Sequence, residues 1–179
     1  MTDALEELAR LVPPPAEPAP PADWAAARAK LGLELPADYR ALIDRYGAGT
    51  FDDELSVFAP GHPNEHLDLL RQADRQLWGL RYLRDQFGTE LPFEPEPVAG
   101  GLIPWGVTLN GDVLHWHVTE PDDPAAWTVA VQEPRGPDWA RFEQGAVEFL
   151  ADVFSRRVAF PFSGDDAWPT EAPRFVRAE

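Results

Sequence analysis

The sequence predicts an α+β domain: an antiparallel β-sheet meander packed with helices and covered on one face. Three observations carry this. The first half holds apolar stripes at helical spacing, each bounded by a helix stop signal. The stretch 101–133 alternates in strand fashion around an Asn-Gly pair. A further helical stripe follows at 145–154. Helices, then a strand meander, then a helix is an α+β order. Trp105 and Trp116 fall on opposing strands of the central hairpin, and a hairpin this apolar has to be covered. No internal repeat is present.

The elements follow in order. Residues 3–12 read as a short helix, with Leu5, Leu8 and Leu11 or Val12 on one stripe. Residues 13–21, Pro-Pro-Pro-Ala-Glu-Pro-Ala-Pro-Pro, read as a polyproline II spacer. Asp23 can cap a helix from Trp24 to about Leu31, which Gly32 stops. Pro36 suits the first turn of the next helix, whose stripe is Tyr39, Leu42, Ile43 and Tyr46 and whose left-handed cap is Gly47. A short strand, 55–59, follows Asp52-Asp53-Glu54.

Residues 64–87 give the longest helical pattern, with Leu70, Ala73, Leu77, Leu80 and Phe87 on its stripe. Gly79 inside it suggests a kink or close packing. A Pro-punctuated loop, 89–100, leads to the hairpin, where Asn110-Gly111 suits a two-residue type I′ turn. Beyond it, Leu114, Trp116 and Val118 point one way, and Val113, His115 and His117 the other. Residues 127–133 make a third strand, 134–137 a turn, 139–142 a short edge strand and 145–154 the closing helix. The expected organisation is a helix and Pro-rich arm at 1–22, a main domain at 23–160 and a loosely packed tail at 161–179.

Composition bounds the function. The formal net charge is −16, with 15 basic residues facing 31 acidic ones and no basic run. Nucleic-acid affinity comes chiefly from Lys and Arg releasing phosphate counterions, so direct nucleic-acid binding and anionic membrane binding are disfavoured. A basic protein partner would be attracted and its encounter accelerated. With no cysteine there is no disulfide framework and no thiolate chemistry. The chain opens Met-Thr-Asp-Ala-Leu-Glu-Glu, without an apolar signal stretch, and no run approaches the ~20 apolar residues of a membrane helix. A cytoplasmic protein is the expectation.

Leu35-Pro36-x-Asp38-Tyr39, then Tyr46-Gly47-x-Gly49-x-Phe51, then a strand ending at Pro60, resembles the start of the SMI1/KNR4 (SUKH) superfamily. The resemblance continues in Gly101-Leu-Ile-Pro-Trp-Gly, Gly111-Asp112-x-Leu114-x-Trp116, Trp127-Thr-Val-Ala-Val and Val147-Glu-Phe149-Leu150. It covers roughly 24–154. It implies helices packed on a mainly antiparallel sheet. It also implies an immunity role: a non-catalytic protein that binds and neutralises a bacterial toxin, often a nuclease. The fungal relatives imply an alternative, a regulatory or scaffold module.

The chemistry-bearing candidates are few. His62-Pro-Asn-Glu65-His66 matches an inverted zinc-peptidase pattern, but that motif needs a continuous helix and Pro63 interrupts it. His115 and His117 share one strand face, a metal-chelating spacing that still needs a third ligand, so an outward-facing polar pair is the preferred reading. Gly47-x-Gly49 follows a helix instead of opening one, which argues against a phosphate loop. The acidic pairs Asp52-Asp53, Asp122-Asp123 and Asp165-Asp166 sit in turn-like segments. No catalytic set, metal or cofactor is expected. The candidate partner surface joins Asp52, Asp53 and Glu54 to Asp112 at the hairpin turn. Trp105 is its anchor if exposed, and His115 and His117 lie beside it. The expected partner is a basic toxin domain.

Overall fold

Seven strands form one antiparallel sheet in the computed structural model, which describes residues 2–134, 138–162 and 168–179. They are β1 (Gly49–Phe51), β2 (Leu55–Val57), β3 (Leu102–Thr108), β4 (Val113–His117), β5 (Thr128–Gln132), β6 (Trp139–Phe142) and β7 (Phe175–Arg177). Their spatial order is β6-β5-β4-β3-β2-β1-β7. The meander therefore runs in sequence order from β1 to β6, and the last strand returns to flank the first. The helices are α1 (Thr2–Leu11), α2 (Trp24–Leu31), α3 (Ala37–Tyr46), α4 (Leu69–Phe87) and α5 (Ala146–Phe154), with a 3-10 turn at Pro124–Ala126. The fold is α+β with an antiparallel sheet.

Local signals place most helix ends. Asp23 accepts from the Ala26 N–H at 2.9 Å, and Gly32 closes α2 in the left-handed region. Pro36 precedes α3. Gly47 has positive φ but an extended ψ of −177°, so it swings the chain straight into β1 and is not a left-handed helical cap. α4 begins five residues later than its pattern suggested. His62 Nδ1 accepts from Asn64 N–H at 3.1 Å, Asn64 Oδ1 accepts from His66 N–H at 3.0 Å, and Asp68 then caps the helix. Short polar side chains here hold a turn that competes with helix.

The sheet is covered on both faces, not one. On the first face α1, α2, α3 and α5 enclose Tyr39, Trp105, Trp116, Trp127 and Phe149. On the second, Leu77 and Leu80 of α4 and Phe93 pack over Leu102 and Ala130. The His115/His117 side of β4 is consequently interior. Imidazole is apolar enough on its ring faces to pack there: His115 lies 5.6 Å from Trp139 and His117 4.8 Å from Phe93, centroid to centroid. Phe87, expected on the stripe, is the last residue of α4 and is 70% exposed. Gly79 faces open space, so it is not there for close packing.

Two segments expected to be peripheral belong to the main body. Leu8 and Val12 are fully buried in the same core as α5, and the Tyr46 hydroxyl donates to the Val12 carbonyl at 2.7 Å. The tail supplies β7, whose Arg177 guanidinium donates to the carbonyls of Tyr46, Glu17 and Pro18. That one side chain ties β7 to α3 and to the Pro-rich arm. β1 has no counterpart among the strands expected from the sequence.

The central hairpin has a three-residue loop instead of two. Thr108 pairs with Asp112 through Thr108 N–H to Asp112 O at 2.9 Å, and Gly111 N–H donates to Thr108 O at 2.9 Å. Gly111 alone has positive φ, at +94°. This is a tight turn followed by a glycine bulge, a common hairpin closure. A second irregularity shifts the β3–β4 register between Pro104 and Gly106. Trp105 is the extra residue, and its carbonyl receives the Phe58 N–H at 3.0 Å and the Tyr39 hydroxyl at 2.9 Å.

Candidate functional site

A large cleft lies on the first face of the sheet, between α1, α3, the 3-10 turn and α5, and has a volume of about 780 Å³. Seven carboxylates line it: Asp3, Glu7, Glu34, Asp38, Asp123, Glu148 and Asp152. Only Arg40 and Arg157 oppose them. Helix geometry brings the acids together. Asp3 and Glu7 are four apart on α1, as are Glu148 and Asp152 on α5, so each pair projects to one side.

The cations do not neutralise this wall. Arg157 bridges Glu7 at 2.6 Å and Asp152 at 2.7 Å, which locks α1 to α5. The Arg157 hydrogen bond holds the Glu7 carboxyl below the usual carboxylate range. Arg40 reaches Glu34 at 3.5 Å and lies over the Trp24 ring. Arg28 also reaches Glu34, at 2.8 Å. Asp3, Asp38, Asp123 and Glu148 make no ion pair among the described residues. Asp38 differs from the others. Burial pushes its carboxyl up, opposed by the Tyr39 and Val147 backbone N–H groups. Val147 is in the first turn of α5, whose Gly145 N-cap offers no side chain. Asp38 thus adds negative charge at a helix N-terminus that has no side-chain cap of its own and carries Glu148 in its first turn.

Such a cleft suits a cationic side chain or basic segment. Its lining residues include no histidine, serine, cysteine or lysine.

The residues singled out in the sequence lie elsewhere. Trp105 is 0% exposed and inside the aromatic core, so it cannot anchor a partner. Asp112 is buried and accepts from the Thr108 hydroxyl at 2.7 Å, bracing the hairpin loop. His115 is fully buried, and burial pushes it down to about 3. His117 is half-buried, and burial lowers it too. Asp52 is buried and accepts from Thr170 N–H at 2.7 Å and from the Thr170 hydroxyl at 2.6 Å. Asp53 is exposed but pairs with Arg174 at 2.9 Å. The fold does bring the two turns together, since Leu109 N–H donates to Glu54 O at 2.8 Å. The acidic patch there is nonetheless occupied by the tail. His62 and His66 precede α4 and share no helix face. Among the described residues no group of three or more His, Cys, Asp or Glu converges as for a metal. Asp165-Asp166 and residues 135–137 of the expected turn lie outside the described residues.

The cleft was missed in the sequence, although a signal was there. Like charges at i and i+4 destabilise an isolated helix, and both α1 and α5 carry such an acidic pair.

Comparison with known proteins gives little. No family model matches the chain, and no solved structure matches it. Tryptophan–tRNA ligase 1 of Halobacterium salinarum is 30% identical over 137 residues, covering 73% of this chain and 25% of that protein. The chain therefore spans about a quarter of the length of that relative. No helix among the described residues is long and apolar enough to cross a membrane.

Proposed function

We propose that this is a non-catalytic protein-binding domain of SUKH type that binds and neutralises a basic bacterial toxin domain. The acidic cleft between α1, α3 and α5 is its contact site. One observation carries the reading: a large cleft with seven carboxylates and two arginines, in a chain of net charge −16. Basic nuclease toxins offer the complementary charge. Occlusion needs shape and charge but no chemistry. The motif Leu35-Pro36-x-Asp38-Tyr39, on which the SUKH resemblance begins, contributes three of its residues to the cleft wall. A tRNA-handling role, by likeness to the ligase, finds no cationic surface in this cleft to hold phosphates.

The test is co-expression with a panel of basic toxin domains. Growth rescue and a one-to-one complex are expected for one of them. Asp123→Lys with Glu148→Lys should weaken rescue and slow association at low salt, because rim charges act mainly through encounter. If no toxin is neutralised and capture returns only housekeeping proteins, the regulatory-module reading replaces this one. A second exposed face of different chemistry, on α4, favours that alternative.

A further inference from the structure

α4 departs from the rest of the chain. It carries four arginines, Arg71, Arg75, Arg81 and Arg84, against two aspartates, in a protein with twice as many acids as bases. Its outward stripe is Arg71, Arg75, Trp78 and Tyr82, spaced i, i+4, i+7 and i+11. Trp78 is 60% exposed and stacks on Tyr82 at 5.2 Å, and Tyr82 meets Phe87 edge-on at 5.8 Å. None of these three rings packs into either core. A hollow of about 480 Å³ beside Trp78 is lined by Arg71, Arg75 and Arg81 together with Glu65, Asp74 and Gln72, so arginines exceed carboxylates there by one.

Arg81 donates to the Pro95 carbonyl and Arg84 pairs with Asp85 and Glu94, but stability does not account for the outward stripe itself. Rings that stack in water gain a fraction of what burial gives. Arg75 has no ion pair or hydrogen bond among the described residues, although acids are abundant. Arg71 holds Glu65 and Asp68 only loosely, at 3.7 and 3.6 Å. Trp, Tyr and Arg are the residues that dominate interface hot spots.

We propose that the outer face of α4 is a docking surface for an acidic protein segment bearing an aromatic or aliphatic anchor. Trp78 and Tyr82 receive the anchor, while Arg75, with Arg71 beside it, receives its carboxylates. Charge selects this occupant. The local arginines repel a basic segment. Two copies of a −16 chain repel one another, and an α4–α4 contact would set arginines against arginines. A polyanion or an anionic membrane has a dense charge array that the surrounding acids oppose, and three arginines supply little counterion release. A short acidic segment meets the arginines within a Debye length of ~8 Å, beyond which the rest of the chain is screened. This surface lies across the sheet from the acidic cleft and does not depend on it.

The test uses the full chain and a fluorescein-labelled peptide of repeated Asp-Leu-Glu-Phe, read by anisotropy. Saturable binding is expected, weakened by salt and about tenfold by Arg75→Glu or Trp78→Ala. Both positions are exposed, and circular dichroism checks that the variants fold. A peptide of repeated Asp-Ser-Glu-Ser, which lacks the anchor, should bind at least tenfold more weakly. The proposal is overturned by no binding up to roughly 1 mM, by equal binding to wild type and Arg75→Glu, or by tighter binding of repeated Lys-Leu-Arg-Phe at Trp78. It is also overturned if phosphatidylserine vesicles or oligouridylate bind through Trp78 while the acidic peptide does not. A doubled mass in light scattering, lost in Trp78→Ala, would assign the face to a second copy instead.

Discussion

Gly111 and Gly79 show how one residue type answers to two environments. Gly111 has φ of +94°, with Pro134 side-chain atoms 3.4 Å and 3.5 Å from where a Cβ would sit. A β-branched residue resists that conformation, so Gly111→Val should lower stability by about 1–2 kcal/mol in chemical denaturation. Gly79 sits inside α4 with open space around it. Gly79→Ala should raise stability by about 0.5–1 kcal/mol, because alanine loses less backbone entropy on entering a helix. A loss at Gly79, or no change at Gly111, would refute these assignments. His115 makes a pH prediction. Its Nε2 is 3.4 Å from Gln132 Oε1, its Nδ1 has no partner among the described residues, and burial lowers it from 6.5 to about 3. The folded chain therefore keeps it neutral, while the unfolded chain protonates it below 6.5. Its stabilising share is complete above that value and is lost as pH falls from 6.5 toward 3. Plotted against pH over this window, the Tm of wild type should fall more steeply than that of His115→Phe. Parallel curves would rule out this linkage.

At the scale of elements, the tail is a structural strand. β7 covers the open side of β1 through the pairs Gly49–Arg177, Thr50–Val176 and Phe51–Phe175. Gly49 permits the approach. A Cβ there would lie 2.3 Å from the Val176 carbonyl oxygen and 2.8 Å from Arg177 Cα, both backbone atoms that cannot swing aside. Gly49→Ala should detach β7, lower Tm and make the tail sensitive to protease, with cleavage mapped by mass spectrometry. Intact protection in that variant would show that the strand tolerates displacement. Asp52 and Asp53 belong to the same element. Both have positive φ in the turn between β1 and β2, and both carboxylates are held from the tail, by Thr170 and Arg174. Charge reversal at Asp52 would therefore disturb the fold before it reported on any partner.

At the scale of the molecule, acid is distributed unevenly. The first-face cleft concentrates carboxylates, and α4 on the second face concentrates arginine. The cleft should take up cations in a pH-dependent way. Burial raises Asp38, so its charge disappears at a higher pH than an ordinary carboxylate's as the solution is acidified. Binding of a basic partner should accordingly weaken from that higher pH in wild type and follow the ordinary carboxylate range in Asp38→Asn. Stability runs the other way: ionised Asp38 is disfavoured in the folded chain, so wild type should gain on Asp38→Asn as pH falls through the raised value. Titration calorimetry and thermal melts across the acid range check both signs.

What the sequence determined by itself is local. Caps, turn residues and apolar period placed α2, α3, β4, β5, β6 and α5 within a residue or two, because those signals act over a few neighbours. The same signals pointed to the α+β class, while the burial of Trp105 was left for the tertiary structure to decide. Tertiary structure decided the rest. That β7 pairs with β1 depends on a close approach between residues more than a hundred positions apart, which no local pattern encodes. That His115 is interior depends on α4 crossing the second face, although alternation alone placed it on the outer side of β4. The acidic cleft depends on α1 and α5 packing together, which gathers into one wall carboxylates that in sequence look like scattered solvated charge. The turn acids looked like a binding patch for the opposite reason: nothing in their neighbourhood revealed that Thr170 and Arg174 would fold back to occupy them.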